Sequence, residues 1–308
     1  SLPYYQIFTL PTNGVAGGIA SGTEDYYSFD YANIHFVCLD SHDTPRSPSG
    51  AMLTWLASDI AATSREWVIA FWHHPPYSKG SHDSDAEAQL AEMRGNALPI
   101  LEAAGVDLVL TGHSHSYERS FLLDGYYGVS STLTPGMKKD PGSGRENETG
   151  AYRKKPGTEP RDGAVYVVAG SSGQISGGPL NHPAMFLSLN SLGSLVLDVN
   201  GSRLDAKFLR SNGQIEDSFT IVKHAGAAGA RFHTVAPCRV VDTRDPAGPW
   251  GGPALPAGSE RTFLLGGRCG IPASAITVAL NATITAPSSA GHFTLFPGGS
   301  ALPQTSSV

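Results

Sequence analysis

The pattern of apolar and polar positions over residues 1–223 alternates between short strand-like runs and segments with a helical repeat. Two helices are predicted over residues 51–62 and 85–104, where apolar residues recur every three or four positions. Strands are predicted at residues 26–30, 34–40, 67–72, 107–111, 164–169, 194–199, 204–209 and 218–222. This order of strands and helices predicts an α/β domain whose sheets are largely buried.

Two later segments depart from the pattern. Residues 135–162 are rich in Gly, Pro and charged residues and show no repeat, so they are expected to form a loop that is mobile or covers a site, and we favour the mobile alternative. Residues 224–230 resemble a short linker of small residues. We predict one domain over residues 1–223, this linker, and a small, incomplete all-β domain over 231–308 with strand-like runs at 261–265 and 276–284.

Composition and charge narrow the class of protein. A hydrophobic fraction of 40% fits a globular chain with a core, and 36 Gly with 22 Pro fit many turns and loops. The formal net charge of −6 does not indicate a nucleic-acid-binding surface. No apolar run approaches the length of about 18 residues that a membrane-spanning helix requires, so no transmembrane helix is expected.

The three cysteines lie in two kinds of surroundings. Cys38 is in a strand-like apolar run and is expected to be a buried free thiol. Three single pairings are open, and we favour Cys238–Cys269 because both residues lie in the same small Gly/Pro-rich segment. Such a cross-link would contribute roughly 3–4 kcal/mol and would indicate an oxidising compartment. Two reduced thiols are the alternative.

Paired histidines follow the predicted strand over residues 67–72. His73 and His74 come directly after this strand and precede Pro75-Pro76. Open α/β sheets place their ligand sites where strands leave the sheet. Imidazole is a common ligand for transition metal ions, although a single histidine is more often a structural residue.

The next buried strand, over residues 107–111, ends in a Gly-His-x-His sequence. Gly112 is expected to let the backbone turn sharply, so that His113 and His115 converge on one centre. Because these imidazoles and the preceding pair all lie at strand ends, the sequence predicts a metal site at this edge of the sheet.

Residues 111–119 read Thr-Gly-His-Ser-His-Ser-Tyr-Glu-Arg. They resemble the G-H-x-H-x-Y-E-R segment of the purple-acid-phosphatase-type branch of the calcineurin-like metallophosphoesterase superfamily. His73 with Pro75 resembles the upstream H-x-P motif, and it ranks above His74 with Pro76 because relatives tolerate other residues at the position of His74. The resemblance covers residues 1–223 and implies the C-terminal part of a metallophosphoesterase β-sandwich flanked by helices.

The resemblance also implies a dinuclear centre of divalent or trivalent transition metal ions, such as Fe, Zn or Mn. His73 and His113 would bind one ion and His115 the other. His82 would hold the phosphate or protonate the leaving oxygen, with a solvated loop residue as the alternative. The family's aspartate and asparagine motifs (Gly-Asp-x-Gly, Gly-Asp-x-x-Tyr and Gly-Asn-His) do not occur in the sequence. We therefore expect an N-terminally truncated domain with weak metal binding and little or no activity on its own.

Other polar residues are expected to have structural roles. Asp40 and Asp43 follow a strand but lack the neighbours of the family's metal-binding motifs. Tyr117, Glu118 and Arg119 are expected to support the His113–His115 turn. His182 is expected to lie in a turn, with a position in the pocket wall as the alternative. His35 is expected to lie in a strand and to have no catalytic role.

The leading hypothesis is a secreted or periplasmic metal-dependent phosphoesterase that acts on phosphomonoesters or phosphodiesters. Residues 237–244 and 269–272 resemble a module found after secreted bacterial enzymes, which supports that location. One alternative is a catalytically silent phosphoesterase-like scaffold, and another is a surface-binding protein that acts through the C-terminal β-module.

Overall fold

The computed structural model describes residues 4–224, 235–273, 275 and 278–299. It divides into two compact units, Ser1–Gly226 and Ala227–Val308, and every helix and strand assigned in the described residues lies in the first unit. Among these residues, no helix has the length and apolar character needed to cross a membrane.

Strands and helices are numbered in chain order. The strands are β1 (Tyr27–Tyr31), β2 (Ile34–Cys38), β3 (Trp67–Phe71), β4 (Leu108–Thr111), β5 (Tyr117–Ser120), β6 (Leu122–Leu123), β7 (Lys138–Asp140), β8 (Tyr152–Lys154), β9 (Val165–Ala169), β10 (Met185–Leu189), β11 (Gly193–Asn200), β12 (Arg203–Arg210) and β13 (Ile215–Lys223). The helices are α1 (Tyr4–Ile7), α2 (Ala51–Ala62), α3 (Ala88–Glu92) and α4 (Leu98–Ala103). A π-helical turn (Met93–Ala97) joins α3 to α4, and 3-10 turns cover Ser130–Thr132 and Pro135–Met137.

A seven-stranded mixed sheet is the centre of the first unit, with strand order β1-β2-β3-β4-β9-β5-β10. Strands β2, β3, β4 and β9 are parallel, and β1, β5 and β10 are each antiparallel to their neighbours. Helical connections between β2, β3 and β4 make the parallel pairing feasible, because parallel neighbours need a crossover. The near-continuous apolar sequence of β3 fits a strand that is covered on both faces.

The seven-stranded sheet separates two buried clusters. On one face, Val68, Ala70 and Val109 pack against apolar residues of α2 and α4. On the other face, strand residues pack against a four-stranded sheet of order β11-β12-β13-β8. The protein is therefore a mixed α/β structure in which two sheets stack and helices cover the outer face of the larger sheet, which confirms the predicted fold class.

The prediction of an irregular loop over residues 135–162 was wrong. A 3-10 turn, β7 and β8 lie in this segment, and Tyr152 and Lys154 of β8 are buried. The Lys154 ammonium lies 2.7 Å from the carboxylate of Asp107, next to β4. Strands of three residues are too short to show an alternating pattern, so only their pairing partners reveal them.

The second unit contains the disulfide Cys238–Cys269, whose Cα atoms are 6.0 Å apart, and this confirms the favoured pairing. Its described residues form turns and one isolated bridge, Ala247 with Gly252, and residues 261–265 form no strand there. Part of the predicted run 276–284, and residues 225–230 of the predicted linker, lie outside the described residues. The small all-β domain stays a prediction.

In the first unit, Cys38 is a free, half-buried thiol, and burial raises its pKa to about 11.

A buried ionic cluster joins β1, β2 and α2. The side chain of His35 is 1% exposed and lies between two carboxylates, with its Nδ1 2.8 Å from Asp30 and its Nε2 2.9 Å from Asp59. Arg65 donates a hydrogen bond to Asp30, and the hydroxyl of Ser28 donates one to Asp59. Burial acts to lower the pKa of His35, but the two carboxylates outweigh it and the pKa is raised.

We expect His35 to make the stability of the first unit depend on pH. Because its pKa is higher in the folded than in the unfolded state, its contribution is full below the unfolded value of 6.5 and is lost as pH rises through the folded pKa. Urea unfolding at intervals between about pH 6 and about pH 9 should show the stability advantage of the wild type over His35→Asn shrinking as pH rises. His42→Asn is the control, because its imidazole is 71% exposed. An advantage that stays constant or grows with pH would contradict the expectation.

Candidate metal-binding cleft

Parallel pairing brings the carboxyl ends of β2, β3, β4 and β9 to the same edge of the seven-stranded sheet. The loops that follow these strands gather at this edge, where open α/β sheets bind ligands, and the histidine-bearing region that they form is here called the cleft. The histidines of this cleft are His42 after β2, His73 and His74 after β3, His82 in the next loop, and His113 and His115 after β4.

Three histidines form the first potential ligand group. The Nδ1 atom of His113 lies 2.9 Å from Nε2 of His73, and the ring centroid of His74 lies 4.3 Å from that of His113. The ligand atoms of the three side chains all lie within 4.8 Å of one another. His74 is buried, and its Nδ1 is 2.9 Å from the hydroxyl of Ser41, so His74 has a structural partner. His73 is exposed and its Nε2 faces His113, which agrees with its higher rank as a ligand.

The electrostatic surroundings favour the neutral form of these imidazoles. Burial and electrostatic repulsion from neighbouring histidines lower the pKa of His73 and of His113. The same two causes lower the pKa of His74 to about 4. A neutral imidazole keeps one nitrogen lone pair, which is the form that binds metal ions. The group is therefore ready to accept a transition metal ion at neutral pH.

A second potential ligand group lies on the other side of the His113 ring. It consists of His82, Glu87 and His113, and its ligand atoms also all lie within 4.8 Å of one another. A carboxylate oxygen of Glu87 is 2.9 Å from Nδ1 of His82 and 3.6 Å from Nε2 of His113. Burial acts to raise the pKa of Glu87, but hydrogen bonds from His82 and from the backbone of Asp83 outweigh it and the pKa is lowered. Glu87 was not predicted from the sequence, where its position five residues after His82 was the available signal.

His115 belongs to neither group within the described residues. Its Nδ1 is 3.0 Å from the hydroxyl of Ser176, and the backbone N–H of Ser176 donates to the carbonyl oxygen of His115. The hydroxyl of Ser81 accepts the backbone N–H of His115 at 3.0 Å. These contacts fix the orientation of the His115 imidazole, and its convergence with His113 on one centre stays a prediction.

The turn that carries the histidines is made by His113 and not by Gly112. His113 has φ 61°, in the left-handed region that few residues other than glycine adopt, whereas Gly112 is not among the residues of positive φ. A Cβ atom at Gly112 would come no closer than 3.9 Å to the side chain of His73. The backbone strain of this turn therefore lies on a candidate metal ligand.

Residues 170–178 pack against the two histidine-bearing loops so closely that two positions exclude a side chain. A Cβ atom at Gly170 would lie 2.0 Å from the carbonyl oxygen of Ser114, and one at Gly178 would lie 1.8 Å from that of Gly80. Ser176, which binds His115, lies between these two contacts. The close packing therefore fixes the residue that orients His115.

Glu118 links two loops of the cleft through hydrogen bonds. It is buried, and it accepts hydrogen bonds from the hydroxyls of Ser78 (2.6 Å) and Ser116 (2.9 Å), so it joins the loop after β3 to the loop after β4. Burial raises the pKa of Glu118. The side chains of Tyr117 and Arg119 instead bind Asp217 of the four-stranded sheet. Among the hydrogen bonds of the described residues, Glu118 is therefore the one of these three whose side chain contacts the histidine-bearing loops.

The remaining candidate residues have structural partners. Asp40 accepts hydrogen bonds from the backbone of His42 and from Thr44, and so closes the loop after β2. His182 is buried against the rings of Tyr77 and Tyr126, and its Nδ1 accepts the backbone N–H of Ala184. Burial lowers the pKa of His182 to about 4.

The fold and the position of the histidines define the class of protein. It is an α/β sandwich of two stacked sheets with helices on one outer face, and its histidine-bearing loops at the ends of parallel strands form a cleft suited to metal ions. Residues 3–117 match the family model of the calcineurin-like phosphoesterases. Over these residues the chain is similar to this superfamily, and its relatives support a similarity to the purple-acid-phosphatase-type branch.

Two curated relatives show the same similarity in sequence, and one solved structure shows it in fold. The chain is 38% identical over 104 residues to purple acid phosphatase 18 of Arabidopsis thaliana, covering 32% of this chain and 23% of that protein. It is 37% identical over 121 residues to purple acid phosphatase 15 of the same plant, covering 38% of this chain and 21% of that protein. The chain thus spans less than a quarter of these curated relatives. The structure of purple acid phosphatase PPD1 from yellow lupin seeds shares the fold, with a TM-score of 0.54 at 19% identity, covering 72% of this chain and 35% of that one.

Proposed function

We propose that this chain contributes histidine ligands to the dinuclear metal centre of a phosphoesterase that hydrolyses phosphomonoesters or phosphodiesters. The observation that carries the proposal is the approach of His73 Nε2 to His113 Nδ1, 2.9 Å apart at the ends of adjacent parallel strands. Both residues lie within the part of the chain that matches the phosphoesterase family model.

Each histidine has a separate part in the proposed centre. His73 and His113 hold one ion, and His115 holds the other through Nε2, because Ser176 occupies its Nδ1. Two transition metal ions, of Fe, Zn or Mn, supply Lewis-acid activation of a water molecule and charge neutralisation at the phosphoryl oxygens when they are bound. The chain's own residues orient the ligands: Ser176 holds His115, and Glu118 keeps the two loops together.

His82 is the proposed acid or phosphate-binding residue of the cleft. Its imidazole is 32% exposed and stacks at 3.7 Å between centroids on the ring of His113. Glu87 lies beside its Nδ1, so the protonated form of His82 has a carboxylate partner. A histidine in this position can bind a phosphate oxygen or donate a proton to the leaving oxygen.

The ligand set of the described residues is incomplete for two ions. The two groups found in this cleft contain one carboxylate, Glu87, and neither includes His115. We therefore propose that residues 1–308 alone bind metal weakly and have little or no activity. The same observation favours a second candidate function, a catalytically silent phosphoesterase-like scaffold.

We also propose an extracytoplasmic location. The support is the disulfide Cys238–Cys269. Disulfides persist in oxidising compartments and are rare in the cytosol.

Hydrolysis of p-nitrophenyl phosphate tests the enzymatic proposal. The assay uses the natural gene product with any residues encoded before Ser1, after loading with Zn²⁺, Mn²⁺ or Fe. We expect His115→Asn to lower kcat/KM by at least about 100-fold, because loss of a ligand should exceed the 10–100-fold effect of losing a ligand's partner. His292→Asn, at an exposed position of the second unit, is the matched control. Unchanged turnover in His115→Asn would refute the site, and an inactive wild type would favour the silent scaffold.

A further inference from the structure

We propose that His82, Glu87 and His113 form a separate one-metal site for a divalent transition metal ion such as Zn²⁺. This site uses Nε2 of His113, whereas the arrangement with His73 uses Nδ1 of the same ring. The inference concerns metal binding by this chain and does not depend on whether the protein hydrolyses phosphate esters.

The spacing of the three ligand atoms fits a tetrahedral ion. With bonds of about 2.1 Å, two ligands of a tetrahedral Zn²⁺ lie about 3.4 Å apart. The distances here are 2.9 Å from His82 Nδ1 to Glu87 Oε2, and 3.6 Å from Glu87 Oε2 to His113 Nε2. The ligand atoms of the third pair, His82 and His113, lie within 4.8 Å of each other, so shifts of up to about 1.4 Å would complete the geometry. Two histidines and a glutamate with a water molecule in the fourth position are an established zinc ligand set.

Glu87 is held in place before any ion binds. It is the N-cap residue of α3, and its carboxylate accepts the backbone N–H of Asp83 at 3.0 Å. The nearby cation Lys79 pairs with Asp83 and Asp85, while the ion pairs found for Glu87 in the described residues are with the two imidazoles.

The His113 ring makes the two groups alternatives. A neutral imidazole has a lone pair on one nitrogen only, so one ring binds one ion unless it also loses its second proton. The group with His73 contains imidazoles alone, and its third member, His74, already has Ser41 as a partner at Nδ1. The group with Glu87 adds a negative charge, which favours a divalent cation. We therefore assign the first ion that this chain binds to the group with Glu87.

The three side chains are also open to solvent. The exposed fractions are 32% for His82, 35% for Glu87 and 20% for His113. An ion can therefore enter the site and keep a water ligand without any unfolding of the chain.

Calorimetric titration of the whole chain with Zn²⁺, purified without a polyhistidine tag, tests the site. We expect one ion to bind, and we expect Glu87→Gln and His82→Asn each to weaken binding by at least about tenfold. Glutamine keeps an oxygen that can accept the hydrogen bond from His82 but removes the negative charge. The expected change in affinity for His73→Asn is less than about threefold, because that residue lies outside the group. Glu92→Gln, on the exposed side of α3 beside Arg46, is the matched control.

Each other outcome refutes the proposal. Affinity that falls with His73→Asn and not with Glu87→Gln would place the ion in the other group. A wild type that binds no Zn²⁺ would refute the site outright, provided that urea unfolding shows the chain to be folded. If Glu87→Gln alters the pH profile of p-nitrophenyl phosphate hydrolysis by the natural gene product while the Zn²⁺ affinity of the chain is unchanged, Glu87 only orients His82. Because the titration contains no phosphate ester, its result is separate from the failure or success of the proposed function.

Discussion

Replacing His113 by glycine is expected to lower the Zn²⁺ affinity of this chain more than about 100-fold without loss of stability. His113 is the one residue shared by both potential ligand groups, so its removal leaves neither group with three ligands. Its φ of 61° is costly for a residue with a Cβ atom and free for glycine. The free energy of unfolding should therefore stay constant or rise by up to about 1 kcal/mol.

Calorimetry with Zn²⁺ and urea unfolding measure these two effects on the same samples. Ala32→Gly is the matched control, because Ala32 has φ 52° in the turn between β1 and β2. It should change stability in the same direction as His113→Gly and leave metal affinity unchanged. Retained Zn²⁺ affinity in His113→Gly would contradict both the proposed centre and the site with Glu87. A large loss of stability would show instead that the imidazole is a structural residue.

Replacing Asp217 by asparagine is expected to lower the free energy of unfolding by about 3–5 kcal/mol. Asp217 of β13 and Arg119 of β5 are both fully buried and join the two stacked sheets through two hydrogen bonds, of 2.6 Å and 2.9 Å. Arg145 and Tyr117 also donate to Asp217. Asparagine removes the negative charge and leaves the Arg119 guanidinium buried without a counter-ion. The free-energy cost of an unpaired buried charge is larger than the net stabilisation that the intact pair provides.

Urea denaturation compares this variant with Asp205→Asn. Asp205 of β12 also binds an arginine, Arg203, at 2.7 Å, but the two side chains are 28% and 40% exposed. Solvent screens such a pair, so its loss should cost no more than about 1 kcal/mol. Similar losses of unfolding free energy in the two variants would show that burial of the Asp217 pair does not determine how much the pair contributes to stability.

Much of the fold could be predicted from local sequence patterns. The helix over residues 51–62 and the buried strands that precede the histidines appear within a residue of their predicted bounds. Strands β5 and β10 were missed. β5 contains Glu118 and Arg119, two charged residues that conceal a fully buried strand from any search for apolar positions. Their partners make the burial possible, and one of them, Asp217, is 98 residues away from Arg119 in the sequence.

The sequence by itself determined the family resemblance, the histidines of the cleft and the alternation of strands and helices, because a short motif and the repeat of apolar positions are local properties. Only the tertiary structure decided which side chains meet. It placed His73 against His113, joined His115 to Ser176 at 61 residues' separation, and brought Glu87 to the far side of the His113 ring. Such contacts depend on strand order and loop packing, which no local pattern encodes.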